Sequence, residues 1–96
     1  MSNTNRSITA TLTAENTFSD SVEIQRGRFN LSLSGTWVAS VTVQRSFDDG
    51  VNWVDVESFS ANTEQIGQEP EDDTLYRFGI KTGNYTSGSV VGRISQ

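Results

Sequence analysis

Ser46-Phe47-Asp48-Asp49-Gly50-Val51-Asn52-Trp53 separates two runs of alternating apolar and polar residues, and its reading decides the fold. The Asp48 carboxylate can accept backbone amides inside a tight turn. Gly50 can take a positive φ without a Cβ clash. Ser46 can add a hydroxyl bond at the base, and Trp53 can fold over the start of the return strand. The stretch therefore reads as a hairpin turn of fixed register, with Ser46, Asp48, Gly50 and Trp53 as its structural residues. Before it, Thr36 to Phe47 is the longest strand candidate. Trp37, Ala39, Val41, Val43 and Phe47 fall on its apolar face, and so does Arg45, which is awkward in a core. Three readings accommodate that arginine: the strand leaves the core by then, a bulge changes the phase, or Arg45 pairs with an acid at the end of the sandwich. After the turn, Asn52 to Phe59 returns with Val54 and Val56 on one side and Trp53, Asp55 and Glu57 on the other.

The same period of two extends in both directions. Ile8, Ala10, Leu12 and Ala14 alternate with Thr9, Thr11 and Thr13. Val22 and Ile24 carry a weaker alternation after Phe18. Phe29, Leu31 and Leu33 form a clear inward set, closed by Gly35 as punctuation. Residues 60–73 show no helical stripe; Ile66 is expected to anchor a short strand, leaving Glu69 to Asp73 as an acidic turn. Tyr76, Phe78 and Ile80 alternate with Arg77 and Lys81, residues 83–88 form a loop, and Val90 and Ile94 mark the last strand. Seven strands and an eighth, with no helix, predict an all-β fold: a compact antiparallel β-sandwich, jelly-roll-like or Ig-like. Residues 7–96 make one domain, preceded by a polar, flexible N-terminal arm at residues 1–6.

Composition removes several functions. The 96 residues carry a net charge of -5, and seven Lys and Arg are dispersed along the chain. That argues against a nucleic-acid grip, which needs clustered basic residues. With no cysteine and no histidine, the chain lacks a thiolate nucleophile, an imidazole base and the usual zinc ligands. No apolar run reaches the length of a membrane span, and the first residues lack the apolar centre of a signal peptide. The expectation is a product of a cytoplasm with no membrane partner.

The remaining candidates each have a plainer reading. Glu69, Glu71, Asp72 and Asp73 could hold calcium through carboxylate oxygens, but the spacing is not that of an EF-hand loop, and a solvated acidic loop is preferred. Asp55 and Glu57 alternate on one strand face, yet a glycosidase needs two carboxyls across a cleft, which so short a chain hardly walls. No base is available to activate a serine. The protein is therefore expected not to be an enzyme and to use no cofactor or metal. Among the aromatics Trp37, Trp53, Tyr76 and Tyr85, only Tyr85 has no evident core position, and it reads as a contact residue. Exposed aromatics would also suit a carbohydrate-binding β-sandwich module.

Residues 46–53, as Ser-x-Asp-x-Gly-x-x-Trp, resemble the Asp box, a hairpin motif repeated in sialidase-like propellers and found in unrelated folds. A single copy implies a rigid corner and no sialidase activity. More widely, Gly27 to Trp37, Val41 to Gly50, Tyr76 to Gly83 and Tyr85 to Gly88 resemble small virion structural proteins of tailed bacteriophages. That resemblance implies a virion location and a capsid decoration (cement) protein that stabilises the phage head. A minor neck or tail component is the alternative. The implied partners are the major capsid protein or other virion subunits and further copies of the chain as a homo-oligomer. Asn3, Asn5 and Arg6 of the arm, and Tyr85, are the expected partner contacts.

Overall fold

A computed structural model describes residues 6–96 of the chain. Among these residues nine strands form: β1 (Ser7–Leu12), β2 (Thr17–Phe18), β3 (Val22–Ile24), β4 (Gly27–Ala39), β5 (Val41–Ser46), β6 (Val54–Phe59), β7 (Thr63–Glu69), β8 (Thr74–Ile80) and β9 (Tyr85–Ser95). Their pairing is nested about the turn at 46–53. Arg45 lies opposite Val54 and Val41 opposite Phe59. Further out, Leu33 faces Thr63 and Gly27 faces Glu69. Val22 then meets Tyr76, Phe18 meets Gly79 and Ser7 meets Ser95. The described residues form one long antiparallel ribbon with residues 46–53 at its tip.

The ribbon folds over on itself into two sheets, ordered β1-β9-β4-β7 and β2-β8-β5-β6, with β3 also on β8. Counting β2 and β3 as two pieces of one interrupted strand, this is the jelly-roll order, which decides between the two sandwiches expected. The interruption at Ser19 to Ser21 supplies the ninth strand. There the Ser19 N–H donates to the Phe78 carbonyl at 2.8 Å and the Ser19 hydroxyl accepts the Phe78 N–H at 3.1 Å. A serine side chain thus replaces the missing rung of the ladder, so no buried amide is orphaned.

The alternation is converted into burial along the inner faces. Leu12, Ile24, Leu33, Val41, Phe78, Ile80, Val90 and Ile94 are almost completely enclosed. The Phe29 and Tyr76 rings meet at 4.7 Å between centroids, tilted by 50°. Three expectations are corrected. Gly35 does not end a strand: β4 runs through it, and the break falls at Ser40, whose N–H donates to the Asn84 carbonyl at 2.8 Å. At Gly35 the φ is 112°, and a Cβ there would stand 2.4 Å from the Ser89 carbonyl oxygen. This glycine permits a close approach of two strands. Phe47 is 55% exposed because β5 ends at Ser46 and the turn sends the ring outward. Val54 and Val56 are also exposed, since β6 is an edge strand with a register shift opposite Val43 and Gln44.

That shift also overturns the shared face of Asp55 and Glu57. Asp55 lies opposite outward-facing Gln44, whereas Glu57 lies opposite the core residue Val43. The extra residue in the bulge puts the two carboxylates on different sides of the sheet. The strand expected around Ile66 forms as β7, with Ile66 on the outer side and 66% exposed.

Removing the Phe78 ring should leave a cavity at the centre of the sandwich. Phe78→Ala is expected to cost about 3–5 kcal/mol, whereas Ile66→Ala should stay within ~0.5 kcal/mol. Urea denaturation midpoints compare the two, and equal losses would contradict this placement of the core.

Candidate functional site

The turn at the ribbon tip is built around two side chains. The Ser46 hydroxyl, fully buried, accepts the Gly50 N–H at 2.9 Å and donates to Asp48 Oδ1 at 2.8 Å. Asp48 Oδ1 also accepts the Asn52 N–H at 2.8 Å, and Oδ2 accepts the Asn52 side-chain amide at 2.7 Å. Asp49 and Gly50 both have positive φ, 60° and 87°. The amide and side chain of Asn52, followed by the Ser46 hydroxyl, hold the Asp48 carboxyl down at about 2 against an ordinary 3.8. Ser46, Asp48 and Gly50 thus meet in one turn, with the Trp53 ring beside Gly50.

The loops joining strands on this side of the sandwich gather beside the tip. Glu69 is completely buried, which corrects its reading as part of a solvated acidic loop. Its Oε1 accepts the Tyr76 hydroxyl at 2.6 Å. Its Oε2 accepts Arg45 Nη2 at 3.2 Å and the Glu71 N–H at 2.9 Å. Of the three readings of Arg45, the acid partner is the one found. Its guanidinium also lies 4.4 Å from the Phe47 ring centroid and so covers the side chain that the turn exposes. Burial, followed by the Glu69 carboxylate, pushes the Tyr76 hydroxyl well above its usual range.

The other loop acids are engaged separately. Asp72 Oδ1 accepts the Arg26 N–H at 2.9 Å. Asp73 and the Gln25 side chain exchange two hydrogen bonds, at 2.9 and 3.0 Å. Gln96 accepts the Gln25 N–H at 2.8 Å and donates its own N–H to the Arg6 carbonyl at 2.7 Å. The four acids expected in one loop thus divide three ways: Glu69 and Glu71 face Arg45, Asp72 holds Arg26 and Asp73 holds Gln25. Among the described residues no acidic group is arranged to hold a metal ion.

The outer face of the β2-β8-β5-β6 sheet carries an assembly that the sequence did not reveal. The Arg77 guanidinium lies between the Phe18 and Trp53 rings, 4.3 Å from each centroid. Its Nε donates to Gln44 Oε1 at 2.9 Å. Gln44 Nε2 in turn donates to Asp55 Oδ1 at 2.9 Å, and Lys81 closes the chain on Asp55 Oδ2. The Lys81 bond and then the Gln44 bond lower the Asp55 pKa. Gln44 is only 7% exposed although it points away from the core, because these side chains cover it. Among the described residues no carboxylate reaches ion-pair distance of Arg77, and its one side-chain hydrogen bond there is the Nε bond to Gln44, which leaves the two terminal nitrogens without an acceptor among them. The result is a planar fork of donors, locked by stacking and open to a partner.

The expected contact residues and the other aromatics lie apart from this patch. Tyr85 packs its ring against the core edge, and its hydroxyl donates to the Gly88 carbonyl at 3.0 Å. Tyr76 is 2% exposed, and the Trp37 indole N–H is taken by Asn62 at 2.7 Å. Arg6 is half-buried beside the C-terminus, and Asn3 and Asn5 lie outside the described residues. Between edges β6 and β7 a slot of about 180 Å³ opens over Phe29, Leu31, Val43 and Tyr76, with Glu57 and Gln65 on its walls. No family model, characterised protein or solved structure matches the chain.

Two measurements probe this end of the molecule. Glu69→Ala leaves the Arg45 guanidinium and Tyr76 hydroxyl unmatched and should cost about 3–5 kcal/mol, while Glu71→Ala, at the exposed side of the same arginine, should change stability by ~0.5 kcal/mol or less. The two unfolding curves would have to coincide for the pairing to be wrong. For Asp48 the folded carboxyl titrates below the unfolded one, so its stabilising effect is complete above about pH 4 and is lost as pH falls toward 2. Thermal melts of the wild type and Asp48→Ala should differ at pH 6 and converge near pH 2. A gap independent of pH would remove the charged turn from the account.

Proposed function

We propose that the chain is a non-enzymatic structural protein of a tailed-bacteriophage particle, and specifically a capsid decoration protein that binds and stabilises the head. The stretches 27–37, 41–50, 76–83 and 85–88 carry the resemblance behind this reading. The observation that supports it best is the Phe18–Arg77–Trp53 stack. Energetic anchors of protein interfaces are enriched in tryptophan and arginine, and a guanidinium held by stacking loses little freedom when it docks. The preferred counterpart is a carboxylate on the capsid subunit, taken by the two free ends of the Arg77 fork. Many copies, each contributing a modest contact, would brace the joints between capsomers.

The same patch argues for a protein partner over a sugar. Sugar binding needs a bare aromatic face, and one face of Trp53 is already covered by Arg77. A neck or tail component would use the patch in the same way and differs in copy number.

Arg77→Lys keeps the charge and discards both the fork and the stacking. It should weaken attachment to particles stripped of this protein by about tenfold or more, consistent with loss of an interface anchor, while the lost stack and Gln44 bond lower stability by about 1 kcal/mol and leave the domain folded. Quantitative gels of purified virions should show many copies per head. A single ring's worth would transfer the protein to the neck or tail, and its absence from virions would refute both.

A further inference from the structure

The four free edges of the two sheets are unequal. In the β2-β8-β5-β6 sheet, one edge is interrupted at Ser19 to Ser21. The other, β6, carries a register shift and turns Glu57 toward the slot between the sheets. Breaks, bulges and inward charges are the devices by which proteins stop edge-to-edge association. The β1-β9-β4-β7 sheet ends differently. Edge β7 is regular but carries Glu64 and Glu69. Edge β1, Ser7-Ile8-Thr9-Ala10-Thr11-Leu12, is regular over six residues and has no charge, proline, glycine or bulge. Its inward residues Ile8 and Ala10 remain half-exposed, because nothing among the described residues lies beside them.

We infer that β1 is a homodimer edge: it pairs antiparallel with β1 of a second copy and joins two four-stranded sheets into one of eight strands. Self-pairing about Ala10 sets Ile8 opposite Leu12 and Thr9 opposite Thr11, so each face keeps its character across the join. Charge also favours a second copy in this sense. Arg6 lies just before the strand, and Glu15 lies just beyond it with one oxygen on the Gly83 N–H at 3.3 Å. Antiparallel pairing brings Arg6 of each copy toward Glu15 of the other, twice by symmetry. Parallel pairing would oppose like charges.

The dimer does not depend on the virion reading. It leaves the Arg77 patch free, because that patch lies on the other sheet, so a dimer would offer two anchors at once. The contact is one strand wide and smaller than a standard interface, so association should be reversible and seen at high concentration.

Sedimentation velocity over a wide concentration range should show a wild-type monomer–dimer equilibrium. Thr9→Lys/Thr11→Lys, both on the exposed face of β1, should raise the dissociation constant tenfold or more, whereas Gln68→Lys on β7 should leave it unchanged. Because the chain has no cysteine, register can be tested independently of the lysine variant's folding. An equimolar mixture of Thr9→Cys and Thr11→Cys proteins should form the mixed disulfide dimer faster than either alone forms its own. A wild type that stays monomeric, a dimer lost through Gln68→Lys, or mixed cross-linking no faster than self-cross-linking would each overturn the proposal.

Discussion

The structure depends on the nesting of its strand pairs. Within the ribbon each strand before the tip has its partner strand after it, and folding the ribbon over then adds the pairs of β4 with β9 and of β5 with β8. The hydrogen bonds of Ser46, Asp48 and Asn52 set the first of these pairings. From there, β4 is aligned with β7, β3 and β2 with β8, and β1 with β9. A change of one residue at the tip would put the inner set on the outer face all along the ribbon. That is why so small a turn contains a buried hydroxyl, a charged acceptor and two residues of positive φ.

A thin sandwich has little apolar volume with which to fix its ends, and this one adds a buried polar cluster. Glu69, Arg45 and Tyr76 join strands from both sheets beneath the tip. Such a cluster contributes less net stability than an apolar core of equal volume, but each member is costly to strand without the others. The consequence is positional. Arg45 has to stay beneath the turn, β7 has to end where Glu69 can reach it, and the Tyr76 ring then packs on Phe29. The outer network of Arg77, Gln44, Asp55 and Lys81 plays the matching part on the solvent side of the same sheet.

Much of the fold could be read from period-two alternation, because inward positions such as Leu31, Val43, Phe78 and Ile94 differ in kind from their neighbours. Apart from Phe47, Asp55 and Glu57, which the turn and the bulge of the hairpin itself redirect, the misreadings share a cause: the deciding partner comes from another strand. Gly35 resembles a strand stop until Ser89 is seen against it. Glu69 resembles a loop acid until Arg45 and Tyr76 arrive from other strands. The Arg77 stack was illegible for the same reason, since Phe18, Trp53 and Gln44 come together only through the register of β8 with β2 and β5. Asp48, whose partners are all within four residues, needed no such knowledge.

Nesting also imposes an order on how the molecule can assemble. Only the tip joins residues that are neighbours in the chain; every other pair encloses the pairs inside it. Closing β1 on β9 first would mean restricting almost the whole unfolded chain in one loop, at a cost that grows with its length. Starting from β5 and β6, each completed pair leaves only a short loop for the next. The turn that fixes the register is thus also the point from which the ribbon closes at the least entropic cost, and closing β1 on β9 costs least once the inner pairs have formed.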